Sequence, residues 1–256
     1  MITVGFCNLK GGVGKTTACQ NLAVGLTRMG KRVAVVDMDP QSNLSLSFGI
    51  EVAEGQPHSF DLLSGAAEWN DVLVRREGVD IAPSSLDLFM VELCRPEGRL
   101  GRDTLLREVV SGIDGNRYDF IFFDSPPQLG VFTRNVLSAS DKLVIPIDGG
   151  FYSLSGLRLL HNALPLFRER LNPGLSFLGI LLTRHSPNVY IHKEVAAEIR
   201  GFFGDLLFDT YVRQNVSLVE ASSLGISVFS YDTSSNGAQD YEKITLEFLR
   251  RCDGNG

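Results

Sequence analysis

The chain has 256 residues, which is long enough to bury a substantial core and is common for a single α/β domain. Its hydrophobic content of 44% and charged content of 21% are ordinary for a globular protein. With 24 basic and 30 acidic residues the formal charge is −6, so the overall charge does not indicate a nucleic-acid-binding protein, and any contact with a polyanion requires a local basic patch.

The segment K-G-G-V-G-K-T-T at residues 10–17 lies between an apolar run, residues 2–7, and an amphipathic helical pattern, residues 16–29. This order of strand, loop and helix is typical of a phosphate-binding loop, because glycines let successive amide hydrogens face inward and the helix presents its partial positive end to an anion. Lys15 is placed to reach the β- and γ-phosphates of a nucleotide, and the Thr16 hydroxyl is placed to ligate Mg²⁺. The alternative is a glycine-rich turn with solvated lysines, but the order of the elements favours nucleotide binding. The predicted nucleotide-binding residues of this segment are Gly11, Gly12, Val13, Gly14, Lys15, Thr16 and Thr17.

Apolar runs continue to alternate with helical patterns along the rest of the chain. Further strands are predicted at residues 32–38, 79–82, 120–123, 143–147 and 178–182. Near-continuous apolar strands separated by helices indicate a parallel sheet that is covered on both faces. We therefore predict an α/β fold with a doubly wound, mostly parallel sheet in a three-layer, Rossmann-like P-loop NTPase domain. We expect one such domain over residues 1–256, with ligands at the carboxyl ends of its strands.

Two of the predicted strands end in acidic residues, which is where this class of fold places its chemistry. The second strand ends in D-M-D-P-Q at residues 37–41, and Asp124 follows the strand at residues 120–123. An aspartate in this position is often only a helix cap or a turn former. Beside a phosphate-binding loop, however, Asp124 matches a Walker B residue that holds the metal directly or through water. We expect Asp37 to have a structural role, anchoring its loop by hydrogen bonds.

The loop differs from the usual G-x-x-x-x-G-K-[ST] pattern, because Leu9 occupies the position of the first glycine and Lys10 adds a second lysine. This deviant Walker A motif resembles that of the ParA/MinD family of dimerising ATPases, in particular the ParA/Soj-type partitioning ATPases. Other segments resemble the family in the expected order, so the resemblance covers nearly the whole chain. These segments are residues 60–63, 81–84, 118–121, 179–183 and 215–221.

The resemblance implies an ATPase that uses ATP and Mg²⁺ and forms an ATP-dependent homodimer. It implies that Lys10 reaches the nucleotide of the partner, that Asp39 in switch I positions or activates the attacking water, and that residues 125–130 form switch II. Mg²⁺ and the lysines would offset the repulsion between Asp39 and the γ-phosphate. The predicted catalytic residues are therefore Lys10, Lys15 and Asp39, the predicted metal ligands are Thr16, Asp39 and Asp124, and Asn215 is a further predicted nucleotide contact.

The family also implies a biological role, which is the partitioning or positioning of plasmid or chromosomal DNA. In that role the ATP dimer binds DNA without sequence preference, and an adaptor of the ParB type, commonly through a short basic N-terminal segment, accelerates slow hydrolysis. Two departures weaken the DNA prediction: Ser217 stands where many relatives have arginine, and Ile226 stands where they often have lysine.

The remaining basic residues still allow a composite DNA-binding patch, with a solvated helix face as the alternative. The predicted patch consists of Lys193, Arg200, Lys243, Arg250 and Arg251. A second basic cluster, which sequence alone does not orient, consists of Arg95, Arg99, Arg102 and Arg107.

Other functions of related ATPases fit the sequence less well. A MinD-like membrane ATPase would be expected to end in a basic amphipathic helix, whereas the apolar stripe of residues 240–251 is interleaved with acids and is expected to face the core. A reductase of the same superfamily would need cysteines near switch II, and residues 125–130 contain none. A nucleotide-dependent interaction module without hydrolysis would not need the phosphoryl-transfer groups, and no acceptor-binding segment suggests a kinase. Positioning of a protein assembly stays open as an alternative to DNA.

The sequence also bears on the cellular compartment. The cysteines lie far apart and lack C-x-x-C spacing, no charged and apolar leader precedes the first strand, and no apolar run approaches the roughly 20 residues that span a bilayer. We therefore expect a cytoplasmic protein, associated with the nucleoid if it binds DNA.

Overall fold

Seven strands form one sheet in the computed structural model, which describes residues 1–93, 103–150 and 153–254. Their order across the sheet is β3-β4-β2-β5-β1-β6-β7, and all neighbours are parallel except β3 and β4. The strands are β1 (Ile2–Phe6), β2 (Val33–Asp37), β3 (Val74–Arg76), β4 (Val79–Ala82), β5 (Phe120–Asp124), β6 (Lys142–Asp148) and β7 (Ser176–Thr183). The six predicted strands are confirmed. The short edge strand β3 was not predicted, because two of its three residues are arginines.

Helices cover both faces of the sheet. The longer ones are α1 (Lys15–Arg28), α7 (Val131–Ala139), α8 (Ser153–Arg170), α9 (Tyr190–Phe203), α10 (Val216–Ser223) and α12 (Asn236–Cys252). The shorter ones are α2 (Asn43–Ser47), α3 (Ser59–Ser64), α4 (Trp69–Val72), α5 (Met90–Leu93), α6 (Leu105–Ser111) and α11 (Val228–Tyr231), with 3₁₀ turns at Leu86–Phe89 and Gly204–Leu206. Buried side chains form two apolar clusters, one on each face, so the three-layer α/β prediction is confirmed.

Aromatic side chains fill the layer between the sheet and α12. The ring of Phe122 lies 5.0 Å from that of Phe6 and 5.5 Å from that of Phe248, and Phe120 is also 5.5 Å from Phe248. The near-continuous apolar character of β1 and β5 follows from this burial on both faces. In the same register Asp37 and Asp124 are direct neighbours, so two carboxylates meet at the carboxyl edge of the sheet.

The helix that follows the loop, α1, packs very closely against α12. A Cβ atom added to Gly25 would lie 2.4 Å from the Thr245 hydroxyl oxygen, which itself donates a hydrogen bond to the Tyr241 carbonyl. This contact allows only glycine at position 25. The two helices can therefore approach this closely only because residue 25 has no side chain.

We expect Gly25→Ala to lower the free energy of unfolding by about 1–3 kcal/mol, although alanine favours a helix over glycine by about 1 kcal/mol. Urea unfolding measures the difference. Gly201→Ala on α9, where an added Cβ meets nothing within 4 Å, is the matched control and should be neutral or stabilising. Thr245→Ala should remove the penalty of Gly25→Ala, and a penalty that persists in the double variant would exclude the steric explanation.

Several observations concern the described residues alone. No helix among them is both long enough and apolar enough to cross a membrane. Cys7, Cys19 and Cys252 are free thiols, and Cys94 lies outside the described residues. Of the second basic cluster, Arg95, Arg99 and Arg102 also lie outside them. Arg107 donates hydrogen bonds to the carbonyls of Ser138 and Leu171, which ties α6 to the core.

Candidate functional site

The loop between β1 and α1 has the backbone that a phosphate site requires. Gly12 and Gly14 adopt φ angles of 73° and 79°, which are left-handed and favour glycine. The helix begins at Lys15, so its free amide groups face the loop. Val13 is fully buried, and its carbonyl accepts a 2.8 Å hydrogen bond from the Thr183 hydroxyl at the end of β7. The loop is thus attached to the carboxyl end of β7.

The two lysines of the loop are held in different ways. Lys15 is 7% exposed, and its ammonium lies 3.4 Å from the Lys10 carbonyl, so it is folded back along the loop. The Lys10 ammonium instead donates to both carboxylate oxygens of Asp148, at 2.7 and 3.0 Å. Asp148 is the last residue of β6. In this conformation Lys10 is therefore paired within its own chain.

Thr16 and Asp124, two of the predicted metal ligands, are in direct contact. The Thr16 hydroxyl donates a 2.6 Å hydrogen bond to Asp124 Oδ2. The other oxygen, Oδ1, is buried and has no hydrogen-bond partner among the described residues. Burial first, and the nearby Asp37 carboxylate second, raise the pKa of Asp124 to about 8. A buried carboxylate with a vacant oxygen and an adjacent hydroxyl suits a hard cation.

Asp37 anchors the segment that follows β2. Its Oδ1 accepts from the Asp39 amide at 3.1 Å, and its Oδ2 accepts from both the amide and the hydroxyl of Ser45, at 2.9 and 2.7 Å. Burial raises the pKa of Asp37 to about 6, although these hydrogen bonds stabilise the carboxylate and act to lower the pKa. The geometry agrees with the structural role expected for Asp37. The segment between Asp37 and Ser45 is held at both ends by one carboxylate.

Asp39, the predicted water-positioning residue, lies in this held segment. It is 7% exposed, and its Oδ1 accepts a 2.9 Å hydrogen bond from the Gln41 amide. Ser42 follows at a left-handed φ of 57°, and its hydroxyl donates to the Ser84 carbonyl at 2.8 Å. A non-glycine residue in this conformation stores backbone strain, which functional segments commonly do.

The described residues contain no cluster of three or more His, Cys, Asp or Glu side chains able to hold a metal by themselves. This fits Mg²⁺, which is usually held by one or two protein groups together with phosphate oxygens and water. Asp124 and Thr16 supply such a pair.

The raised pKa values predict how stability depends on pH when neither nucleotide nor Mg²⁺ is present. Because Asp124 holds its proton more tightly in the folded protein than in the unfolded chain, its contribution is complete below about pH 4 and is lost as the pH rises to about 8. We expect Asp124→Asn to be more stable than the parent at pH 8, by on the order of 2 kcal/mol, and similar to it at pH 4.

Urea unfolding in EDTA between pH 4 and pH 8 measures this difference. Asp253→Asn, which alters an exposed carboxylate after α12, is the control and should leave the profile unchanged. If the free energy of unfolding changed with pH in the same way for the parent and for Asp124→Asn, ionisation of Asp124 would not destabilise the folded protein.

A cleft of about 760 Å³ opens beside the loop. The cleft is lined by Gly14 and Thr17, by Arg184 after β7, and by Asn215, Val216 and Val219. Asn215 caps α10, since its side-chain oxygen accepts from the Ser217 amide at 2.7 Å. The cleft has the size of a small-molecule site. Asn215, a predicted nucleotide contact, therefore lines the same cleft as Gly14 of the loop.

The predicted DNA-binding residues differ in their exposure and in their contacts with the rest of the protein. Lys193, Lys243 and Arg250 are exposed, and Arg200 is exposed but paired with Asp209 at 2.8 Å. Arg251 is a correction: its side chain is 13% exposed, and its guanidinium donates to Glu247 and to the carbonyls of Asp205 and Leu207. It also lies 4.2 Å from the ring centroid of Phe208. Arg251 therefore holds α12 onto the neighbouring turn and is not available to a ligand.

Sequence reasoning missed the residues that position the loop from other strands. Asn8 accepts from the Lys10 amide at 3.0 Å and donates to the Pro146 carbonyl at 2.7 Å. Thr183 donates to the Val13 carbonyl and Asp148 accepts from the Lys10 ammonium, so both also position the loop. Apart from the contact between Asn8 and the Lys10 amide, these contacts join residues 138 or more positions apart, and no local pattern signals them.

The chain is similar to known proteins over most of its length. The AAA domain family matches residues 1–177. Chromosome-partitioning ATPase Soj of Treponema pallidum is 37% identical over 97% of this chain and 97% of its own length. Chromosome partitioning protein ParA of Caulobacter vibrioides is 36% identical over 95% of this chain and 92% of its own length. The structure of cobyrinic acid a,c-diamide synthase from Mycobacterium smegmatis with a bound ATP analogue and magnesium superposes with a TM-score of 0.85 at 26% identity, covering 100% of this chain and 97% of the other.

Proposed function

This chain belongs to the ParA/MinD family of P-loop ATPases, and we propose that it binds ATP with Mg²⁺ and hydrolyses it slowly, as the timing step of a partitioning or positioning cycle. The observation that carries the proposal is the contact between Thr16 and Asp124. It places a hydroxyl and a half-vacant buried carboxylate directly beside a glycine loop that ends in Lys15. A protein that only presented a surface would not need a buried carboxyl group whose ionisation is opposed by burial.

Each group at the loop has a role in that reaction. The loop amides and Lys15 bind the β- and γ-phosphates, and Thr16 and Asp124, with Asp39 close by, would hold a Mg²⁺ ion that neutralises phosphate charge. Asp39 would position the attacking water. The hydrogen bond from the Gln41 amide and the strained backbone at Ser42 would fix the orientation of the Asp39 side chain. The base would occupy the cleft that Asn215 lines.

We propose further that ATP joins two copies of the chain, with Lys10 of each reaching the nucleotide of the other. Residues 125–130 follow β5 and would report the γ-phosphate as switch II. Ser125 fixes the start of this segment, because its hydroxyl donates to the Phe6 carbonyl at 2.8 Å, whereas Leu129 is 41% exposed. A segment that is anchored at Ser125 and exposed at Leu129 is suited to changing its contacts when the dimer forms.

The relatives named for chromosome partitioning support DNA as the surface on which this cycle operates. We propose that the ATP dimer binds DNA without sequence preference through Lys193, Arg200, Lys243 and Arg250, and that a ParB-type adaptor stimulates hydrolysis. A monomer offers few contacts in an acidic protein. Dimerisation doubles them and makes binding depend on the nucleotide.

A protein assembly is the second candidate for the cargo, and specific observations favour it. Ser217 and Ile226 carry no charge, and Arg251 is engaged inside the fold. These features leave fewer cations than the sequence predicts for a DNA surface. A membrane matrix has less support, since Tyr241, Ile244 and Phe248 of α12 are 1% exposed or less.

We expect the ATP-bound dimer, and not the ADP-bound protein, to shift DNA of unrelated sequence in a gel at low salt. Affinity should fall with a log-log slope of about −0.9 per phosphate neutralised. Lys193→Glu combined with Lys243→Glu should abolish the shift. Arg75→Glu combined with Arg76→Glu changes two exposed arginines of β3, at the opposite edge of the sheet from β7, and is the charge-matched control that should retain the shift. A dimer that never shifts DNA would move the proposal to a protein cargo.

A further inference from the structure

The short helix α2, which follows the Asp39 segment, is held by contacts to which the proposed reaction assigns no role. Gln20 of α1 is 1% exposed, and its side-chain amide donates a hydrogen bond to the carbonyl of Ser47, the last residue of α2. Carbonyl groups in the last turn of a helix have no partner within that helix, so Gln20 satisfies one of them. Gln20 therefore fixes the end of α2 to α1.

The face of α1 that carries Gln20 also carries a predicted metal ligand. Gln20 lies four residues, or about one helical turn, after Thr16, so the two side chains share a face of the helix. Thr16 contacts Asp124, whereas Gln20 contacts α2, which begins four residues after Asp39. One face of α1 is therefore in contact both with the proposed metal site and with the helix behind the proposed water-positioning residue.

A second contact lies just after α2. Gly49 lies two residues after α2 and Gly225 two residues after α10, with left-handed φ angles of 65° and 70°. A Cβ added to Gly225 would lie 2.5 Å from the Gly49 Cα atom, so the two backbones are in direct contact and only glycine fits at position 225. The loop after α10 is itself tied to α1, because the Val228 amide donates a 2.9 Å hydrogen bond to Asn21 Oδ1. Gln20 and Asn21, which are consecutive on α1, thus hold the two segments that meet at this contact.

We propose that Gln20 is a positioning residue for Asp39, and that it acts by holding α2 against α1 and against the loop after α10. This inference rests on the proposed function, in which Asp39 orients the attacking water. A helix of five residues has little stability of its own, so its position depends on such contacts. A shift of α2 displaces the Asp39 carboxylate, and small misplacements of a group that acts in the reaction slow it strongly even when ATP stays bound.

The first experiment removes the hydrogen bond and nearly keeps the length of the side chain. We expect Gln20→Met to lower kcat by about tenfold to a hundredfold, whereas Mg·ATP binding and ATP-dependent dimerisation stay like those of the parent. Calorimetry measures the binding, light scattering the dimer and phosphate release the turnover. Gln239→Met on α12 is the matched control, because the Gln239 amide also donates to a backbone carbonyl, that of Ser234, but at an exposed position. It should hydrolyse ATP like the parent.

A second variant disturbs α2 from the loop after α10. Gly225→Ala forces a Cβ atom onto Gly49, so we expect it to lower kcat as Gln20→Met does. Gly55→Ala is the control for backbone strain, because Gly55 has a similar φ of 76° but nothing within 4 Å of an added Cβ. Equal turnover in the two glycine variants would overturn the role of the loop after α10. Gln20→Met introduces no such clash and decides the role of Gln20 whatever the stability of Gly225→Ala.

The double variant of Gln20→Met and Asp39→Ala tests whether Gln20 acts through Asp39. Because Asp39→Ala already lacks the carboxylate that is being positioned, adding Gln20→Met should not lower its residual turnover further. A purely structural role of Gln20 would lower the free energy of unfolding and leave kcat of the folded protein unchanged. A loss in the double variant as large as that in the parent background would overturn the proposal.

The outcomes separate this inference from the function on which it rests. A parent that does not hydrolyse ATP, or an Asp39→Ala protein that turns over like the parent, overturns the proposed role of Asp39 and this inference with it. An impaired Asp39→Ala protein, with Gln20→Met equal to the parent, overturns the role of Gln20 alone. Weaker ATP binding by Gln20→Met with unchanged kcat, or an equal loss of turnover in Gln239→Met, would also count against that role.

Discussion

Lys15→Ala should abolish ATP turnover and weaken ATP binding by about a hundredfold or more. Lys15 is the first residue of α1 and is almost fully buried, so its ammonium acts on phosphate with little solvent screening. No other lysine side chain replaces it, because the Lys10 ammonium is held by Asp148. Isothermal calorimetry with ATP and Mg²⁺ measures the binding, and release of inorganic phosphate measures the turnover.

The control for this variant is Lys31→Ala, which removes an exposed lysine just after α1. It should bind and hydrolyse ATP like the parent. Circular dichroism should show that Lys15→Ala remains folded, since a buried ammonium stabilises the protein little without its anion. Normal ATP binding by Lys15→Ala would show that the glycine loop does not hold the nucleotide.

Asp39→Ala and Lys10→Ala should fail in different ways. We expect Asp39→Ala to lower kcat by about a hundredfold to a thousandfold while it retains ATP and accumulates as the dimer, because it loses only the group that positions water. Lys10→Ala should bind ATP but remain monomeric. Light scattering under saturating ATP separates the two variants, and a phosphate-release assay reports their turnover.

An Asp39→Ala protein that stays monomeric with ATP would contradict this division of roles. So would a Lys10→Ala protein that dimerises like the parent. Gln41→Ala is a useful companion variant. It changes the neighbouring side chain but keeps the backbone amide that donates to Asp39, so it should preserve the dimer.

The fold and the centre of the site could be predicted because their signals are local. Apolar strands that end in acids, and a glycine loop that leads into a helix, are written in consecutive residues, and the structure has strands and α1 within a few positions of those predicted. The parallel register then brings Asp37 and Asp124 together without further information. The sequence was therefore sufficient to predict features whose residues all lie within one element or in consecutive elements.

Long-range contacts could not be predicted in this way. Asp148 and Lys10 are 138 positions apart, and an aspartate at the end of β6 carries no mark of its partner. Arg251 shows the opposite failure: its charge near a helix end indicated an exposed side chain, but a guanidinium can also stack on Phe208 and bond carbonyls. Side-chain contacts between distant elements decide such cases, and the periodicity of one helix does not contain them.

The close contact of Gly25 with Thr245 has a consequence for how ATP is sensed. Because the contact leaves no room for a methyl group between α1 and α12, we expect the helix that carries Lys15 to keep its position when ATP binds. The response to ATP would then be confined to the segments after β2 and β5. We expect the amides of α1 to exchange with solvent only on global unfolding, and those of residues 39–43 and 125–130 to exchange through local opening that ATP suppresses.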